Sequence, residues 1–478
     1  MPLKSLALAT VLTTACLASC ASGPPARAAQ EVQADPAVTV TRDGDRWTAD
    51  YVFDRDVPVW AFMDSALIVE FRQPWRQAQW RVETPGVVLE RRGNYDIIRS
   101  LDGGPVPRNV RFAIQPKAVD LEAEYGTLTF SDGAVALPTR QFDVFALPSV
   151  EAAAATPRDL NGLNLDGGPS RVTWRDTAGP VLFEGRRRAE LTTTGERSYV
   201  LLGQARVTPG EGLTTVIDPN LPAWIGEEIR SFAPHVGDYY RSRLGDPGVG
   251  SETSTVMVSW NGPTERMSSM GGSVLPGLIV MQFEGVGVLR PNAEMLERSR
   301  WFIGHESAHF WLGQTVRYEY ARDTWITEGG ADLMAVRALK ALDPAYDDRA
   351  ELQQEVDDCA DLSLNKAVAD AGERGEHRAY YACGAVFALA AEGAQRQRDG
   401  GDWFDFLKPL LAANRQDGVL TRAEWLAALT RVSRDPTLAN DIDAMLDRGA
   451  SNPSAVIARL FERTGVAFRM EDGRVVLG

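Results

Sequence analysis

The stretch Trp301-Phe302-Ile303-Gly304-His305-Glu306-Ser307-Ala308-His309-Phe310, with eighteen residues between His309 and Glu328, decides most of what this chain can be. The apolar and aromatic run through Trp301, Phe302, Ile303, Phe310, Trp311 and Leu312 predicts a buried helix. Four-residue spacing puts His305 and His309 on one face of it. Two imidazoles on one face and a glutamate on a following helix form the donor set of a catalytic zinc site, in which three protein ligands leave one position open. The reading expects one Zn2+ per chain on His305, His309 and Glu328, with Glu306 beside the first ligand as general base. A metzincin site would need glycine three and histidine six residues after His309, where this chain has Leu312 and Thr315.

Around these residues the chain resembles the gluzincin metallopeptidases of the aminopeptidase N and leukotriene hydrolase family. The resemblance covers roughly residues 255 to 395, through Leu275-Pro276-Gly277-Leu278-Ile279, the two histidines, Asp323 to Gly330, and Tyr381-Ala382-Cys383-Gly384. It implies a thermolysin-like α/β catalytic domain, a peptide or protein substrate, and Tyr381 as the donor to the oxyanion. Tyr380 is the rival, but neighbouring helical residues point about 100° apart, so only one can face the metal. Family aminopeptidases carry Gly-x-Met-Glu-Asn before the histidines, and its glutamate holds the free amine of the substrate. Here Gly271-Gly272-Ser273-Val274-Leu275 stands in that place without a carboxylate. The backbone of Gly271, Gly272 and Ser273 is still expected to pair with substrate as a sheet edge. Glu284 is either a replacement anchor or a solvated side chain. Asp323 either orients a histidine ligand through its second ring nitrogen or caps the helix starting near Trp325. His377 reads as a surface histidine, and His235 is given no role.

The implied activity is zinc-dependent peptide hydrolysis. Zinc would supply an activated water, Glu306 would carry its proton to the leaving nitrogen, and Tyr381 would stabilise the charge that develops. The missing carboxylate points to an aminopeptidase-like enzyme with altered amine recognition. An endopeptidase of the same fold and a non-catalytic cell-envelope binding protein are the alternatives.

Lys4 and the apolar stretch from Leu6 to Leu17 are too short to span a bilayer and read as a signal peptide. Leu17-Ala18-Ser19-Cys20 resembles the bacterial lipoprotein box, which implies lipid attachment at Cys20; ordinary cleavage near Ala28 or Ala29 is the other reading. Firm anchoring takes more than one acyl chain. The expectation is an exported protein of the cell envelope, lipid-anchored to the outer membrane and facing the periplasm. Removing Cys16 with the signal and giving Cys20 to lipid leaves Cys359 and Cys383, which are either one disulfide or two buried thiols.

The chain has 478 residues and a net charge of −15 with no long basic run, which argues against nucleic acid as a partner. Its length exceeds one core. The expected fold is a multidomain α+β protein: signal peptide 1–19, flexible tether 20–36, all-β amino-terminal domain 37–207, zinc peptidase domain 208–395, and a helical carboxy-terminal region 396–478 ending in a hairpin. The β assignment rests on alternating stretches such as 46–53, 67–71, 80–83, 87–90 and 199–202, separated by Asp-Gly turns. Asp417 to Glu424 imitates half an EF-hand but lacks side-chain oxygens at Ala413 and Arg415, so Thr421 and Glu424 are read as a helix capping box.

Overall fold

Short alternating stretches build three sheets in the amino-terminal part of the chain. The computed structural model describes residues 36–122, 124–209, 213–247, 254–265, 267–291 and 293–478. The expected signal segment, Cys20 and the expected tether up to residue 35 lie outside them. A six-stranded sheet is ordered Leu191–Thr194, Arg171–Asp176, Ala37–Asp43, Arg46–Val52, Asn109–Ile114, Trp80–Val82. Its inner face shares a core with a four-stranded sheet (Val144–Leu147, Val59–Phe62, Tyr95–Ser100, Val87–Arg92) through Tyr51, Phe62, Ile98, Phe112 and Trp174. Arg76 is fully buried there, held at 3.0 Å by Asp96 and covered by Phe62 at 3.8 Å, since a buried charge survives only when it is paired. The expected strand at 67–71 is instead a turn: only Leu67 and Ile68 bridge, Arg72 takes a φ of 52°, and Val69 and Phe71 point to solvent. Pro74, with no N–H to give a ladder, ends the stretch.

The central sheet positions the site. It contains β1 (Val207–Pro209), β2 (Leu213–Ile217), β3 (Ser254–Trp260), β4 (Ser269–Leu275) and β5 (Leu278–Glu284), in the order β1-β2-β3-β5-β4. β2, β3 and β5 are parallel, and β4 runs antiparallel along the edge. The period of two sends alternate side chains of β5 to opposite faces. Leu278 and Val280 pack with Leu128, Ala136, Tyr199 and Leu201 of the third amino-terminal sheet, whereas Ile279, Met281 and Phe283 pack with Phe302 and Ile303 on the helical side.

The helices there are α1 (Ala223–Leu244), α2 (Ala293–Ala308), α3 (Trp325–Leu342), α4 (Asp348–Leu362) and α5 (Arg378–Asp399). Four more follow, at Trp403–Asn414, Arg422–Ser433, Pro436–Arg448 and Pro453–Thr464, then a hairpin of Phe468–Glu471 with Arg474–Leu477. Asp472 and Gly473 both have positive φ, as a two-residue hairpin turn requires. Thr421 and Glu424 form a reciprocal capping box. The molecule is α+β, rich in sheet at its amino-terminal end and helical at its carboxy-terminal end. No described helix is long and apolar enough to cross a membrane.

Candidate metal centre

α2 closes at Ala308 rather than continuing to Leu312. Its last amides shift to nearer acceptors, with Phe310 N–H to Ser307 O and Trp311 N–H to Ala308 O, and Gly313 turns the chain at a φ of 143°. His309 thus sits just past the helix, half-buried, yet remains one turn from His305. The two Nε2 atoms are 3.0 Å apart. Glu328, in the first turn of α3, brings Oε2 to 3.4 Å from His305 Nε2 and 3.3 Å from His309 Nε2. These three are the described residues whose donor atoms converge, all within 4.8 Å of one another.

Their outer contacts fix which atoms face inward. His305 Nδ1 lies 2.7 Å from Asp332 Oδ1, and His309 Nδ1 lies 2.8 Å from the Leu312 carbonyl. With each Nδ1 turned outward to an acceptor, both Nε2 atoms face the same space, where a bound cation would take the place of their protons. A tetrahedral ion with bonds of about 2.0–2.1 Å sets its ligands about 3.3 Å apart. The observed separations match, and the donor set fits a zinc-like cation.

Burial alone would lower both imidazoles, but carboxylates outweigh it. Asp332 and Glu328 hold His305 well above its usual value, and Glu328 raises His309. Burial would raise Glu328, yet the two rings hold it well below the carboxylate range. Glu306, Glu328 and Asp332 set three acidic groups around the two rings, a surrounding suited to a cation. Glu306 itself is pushed up, chiefly by burial.

Tyr381 reaches the centre because two helices touch. A Cβ on Gly329 would lie 2.1 Å from the Gly384 carbonyl carbon, and one on Gly384 would lie 2.3 Å from Trp325 O. With no Cβ on either side, α3 and α5 meet backbone to backbone, and the Tyr381 ring stacks on His305 at 5.8 Å. The charge of Glu328, then burial, keeps its phenol protonated. Tyr380 points away and is held by Ala369 O and Gly372 N.

Asp323 does neither thing expected of it. Both Nδ1 atoms already have partners, Asp332 and Leu312, so no ring nitrogen is left for Asp323 to orient. The residue preceding α3 is Thr324, which makes no side-chain cap. Asp323 is buried with one oxygen unpartnered among the described residues, and burial raises its pKa. The residue that does orient His305 is Asp332, one turn beyond Glu328.

The edge strand β4 runs along the opening. Gly272 faces Glu306, whose Oε1 would be 3.1 Å from a Cβ there, and Phe302 would be closer still at 2.5 Å. Gly271 has nothing within 4 Å of its Cβ position, and Ser273 Oγ donates to Gly272 O. Met270 and Val274 pack on the helical side, so Val274 puts an apolar group on the same face of β4 as Gly272, where the resemblance has a carboxylate. Glu284 cannot replace it. It follows the alternation of Leu278 and Val280 to the other face, where it borders a separate cleft of about 470 Å³ with Lys117, Ser131 and Asn261.

Amino-terminal loops also bond to this part of the chain, by contacts the sequence did not disclose. Asp159 Oδ2 accepts from Ala321 N at 3.0 Å, Arg158 donates to Gly372 O at 3.1 Å, and Gln282 donates to Thr127 O at 3.3 Å. His377 is half-buried in this joint rather than on the open surface, with Nε2 3.7 Å from Glu122. His235 is exposed. Cys359 and Cys383 are disulfide-bonded, joining α4 to α5.

The architecture has known counterparts. The fold is shared with leukotriene A4 hydrolase. Native yeast LTA4 hydrolase matches with a TM-score of 0.51 at 13% identity, over 87% of this chain and 68% of that one. A structure of native leukotriene A4 hydrolase from Saccharomyces cerevisiae gives 0.50 at 14% identity, over 89% and 71%. An M1 zinc metallopeptidase from Deinococcus radiodurans gives 0.45 at 16% identity, over 87% and 93%. No protein-family model matches the chain, and no curated protein matches it in sequence.

Proposed function

We propose that this chain is a zinc-dependent metallopeptidase, aminopeptidase-like with altered amine recognition. The observation that carries the reading is the convergence of His305, His309 and Glu328 with both Nε2 atoms directed inward and with Glu306 and Tyr381 beside them. Zinc held there would lower the pKa of a water and polarise a carbonyl. Glu306, its carboxyl raised by burial, takes a proton from the attacking water and delivers it to the leaving nitrogen. Tyr381, kept protonated, donates to the oxygen on which charge develops. The free edge of β4 offers N–H and C=O groups to an extended peptide. Asp332 and the Leu312 carbonyl hold the two rings in the tautomer that leaves Nε2 free.

Val274 favours a second reading within the same chemistry. Without a carboxylate on that face of β4, nothing there demands a free amine, and internal peptide bonds become substrates. We also propose export, with a lipid on Cys20 at the outer membrane facing the periplasm; this rests on the amino-terminal sequence alone.

The test is digestion of a peptide pool with matched free and acetylated amino termini, using the native protein beside Glu306→Gln, with new ends mapped by mass spectrometry. Glu306-dependent loss of single residues from free termini supports the aminopeptidase reading. Internal cuts regardless of acetylation favour the endopeptidase. Identical digests from the two proteins overturn peptide hydrolysis and leave a binding protein of the same fold.

A further inference from the structure

Behind the metal centre lies a charge cluster that the reaction does not use. Arg378, in the first turn of α5, donates from Nη2 to Glu355 Oε1 at 2.8 Å and from Nε to Asp358 Oδ2 at 2.9 Å, both on α4. Its Nη1 is 3.8 Å from Oδ2 of Asp332, the carboxylate whose other oxygen holds His305. Tyr381 comes three residues later on α5, on the neighbouring face one turn along. One residue of the turn that leads into Tyr381 therefore reaches both α4 and the carboxylate behind His305.

The cluster is poor in alternatives. Asp332 and Glu355 are almost wholly buried, and Asp332 Oδ2 and Glu355 Oε2 have no hydrogen-bond partner among the described residues. Burial and the Asp332 charge push Glu355 up to about 8. Arg378 is the cation shared by three acidic side chains, and its fixed fork meets two of them at once in a way a lysine ammonium does not reproduce. The Cys359–Cys383 disulfide crosses the same α4–α5 joint one turn further on.

We propose that Arg378 is a positioning residue, holding the Asp332 carboxylate behind His305 and the Tyr381 turn of α5 in one fixed relation. The proposal rests on the peptidase reading above. Losing an outer partner of a metal ligand commonly costs tenfold to a hundredfold in affinity or activity.

The experiment compares Arg378→Met and Arg378→Lys with the native protein, measuring zinc affinity by competition against a chelator and kcat and KM on a cleaved peptide. Each variant is also made with Glu355→Gln, which relieves the carboxylate left without its cation so that a folded protein is compared. Arg378→Met is expected to weaken zinc binding and lower kcat by about tenfold or more each, with KM nearly unchanged. Arg378→Lys is expected to recover part of both. A folded Arg378→Met protein that melts lower but keeps native zinc affinity and kcat overturns the proposal and leaves Arg378 a stability residue. If the native protein binds zinc yet cleaves nothing, the peptidase reading fails, while the affinity arm still decides the role of Arg378.

Discussion

Glu306 and Tyr381 reach the same opening from different helices, and their surroundings suit them to opposite proton tasks. Burial lifts the Glu306 carboxyl towards the range where it can both accept and return a proton, while the Glu328 charge keeps the Tyr381 hydroxyl a donor. Glu306→Gln keeps the shape and removes the base, so kcat should fall by about two to four orders of magnitude. Tyr381→Phe removes one preorganised donor, for an expected loss of about two to three orders, with zinc content unchanged. Steady-state kinetics on metal-replete protein measures both, and a Tyr381→Phe enzyme with native kcat sinks the oxyanion assignment. The three converging donors were legible because an ion site demands particular residue types at helical spacing. Asp332 was not singled out, although its place four residues after Glu328 puts it on the same helical face. Asp323 attracted attention by its position beside the motif, but helix phase, rather than nearness in sequence, decides which acid meets a ring.

At the level of elements, the site depends on how closely α3 and α5 approach. Gly329 and Gly384 each stand where a Cβ would penetrate the partner backbone, at 2.1 Å and 2.3 Å. Gly384→Ala must push the helices apart, and overpacking of this kind costs about 1–3 kcal/mol or more. The variant should be less stable by at least that amount in urea and should lose kcat as well, because Tyr381 rides on the displaced turn. A Gly384→Ala protein within about 0.5 kcal/mol of native would show that the helices have slack, below the cost expected for overpacking. The sequence displayed both glycines, and family resemblance attached Tyr381 to one of them. Their joint meaning needed the crossing geometry of two helices more than fifty residues apart in sequence. The same holds for the turn at Leu67 to Phe71: its alternation looked like a strand, but pairing with residues 120 to 122 stops at Val69, where the chain turns back so that Arg72 N bonds Ile68 O.

Across the whole molecule, the amino-terminal sheets and the helical part of the chain are tied by a joint of Glu122, Arg72, Arg158 and His377 at the entrance to α5. Arg72 lies 3.1 Å and Arg158 3.6 Å from Glu122, with His377 at 3.7 Å. Burial and the Arg158 charge hold His377 below its usual value, so the folded state favours the neutral ring. Burial would raise Glu122, but Arg158 and Arg72 prevail and hold it below the usual carboxylate value. In both cases the unfolded chain binds more protons than the folded one as pH drops, so stability must fall on acidification. The His377 share is fully present above about pH 6.5, the value of a free imidazole, and is lost between there and the lower folded value. The Glu122 share follows only below about pH 4.3. Between pH 7 and pH 5, above the range of Glu122, His377→Gln removes the first share. Its melting temperature should therefore decline less than that of the native protein between pH 7 and pH 5, with the two curves drawing together or crossing as pH falls. Parallel curves over that interval would mean that the ring stays equally free to protonate in both states, and that the joint does not sense pH through His377.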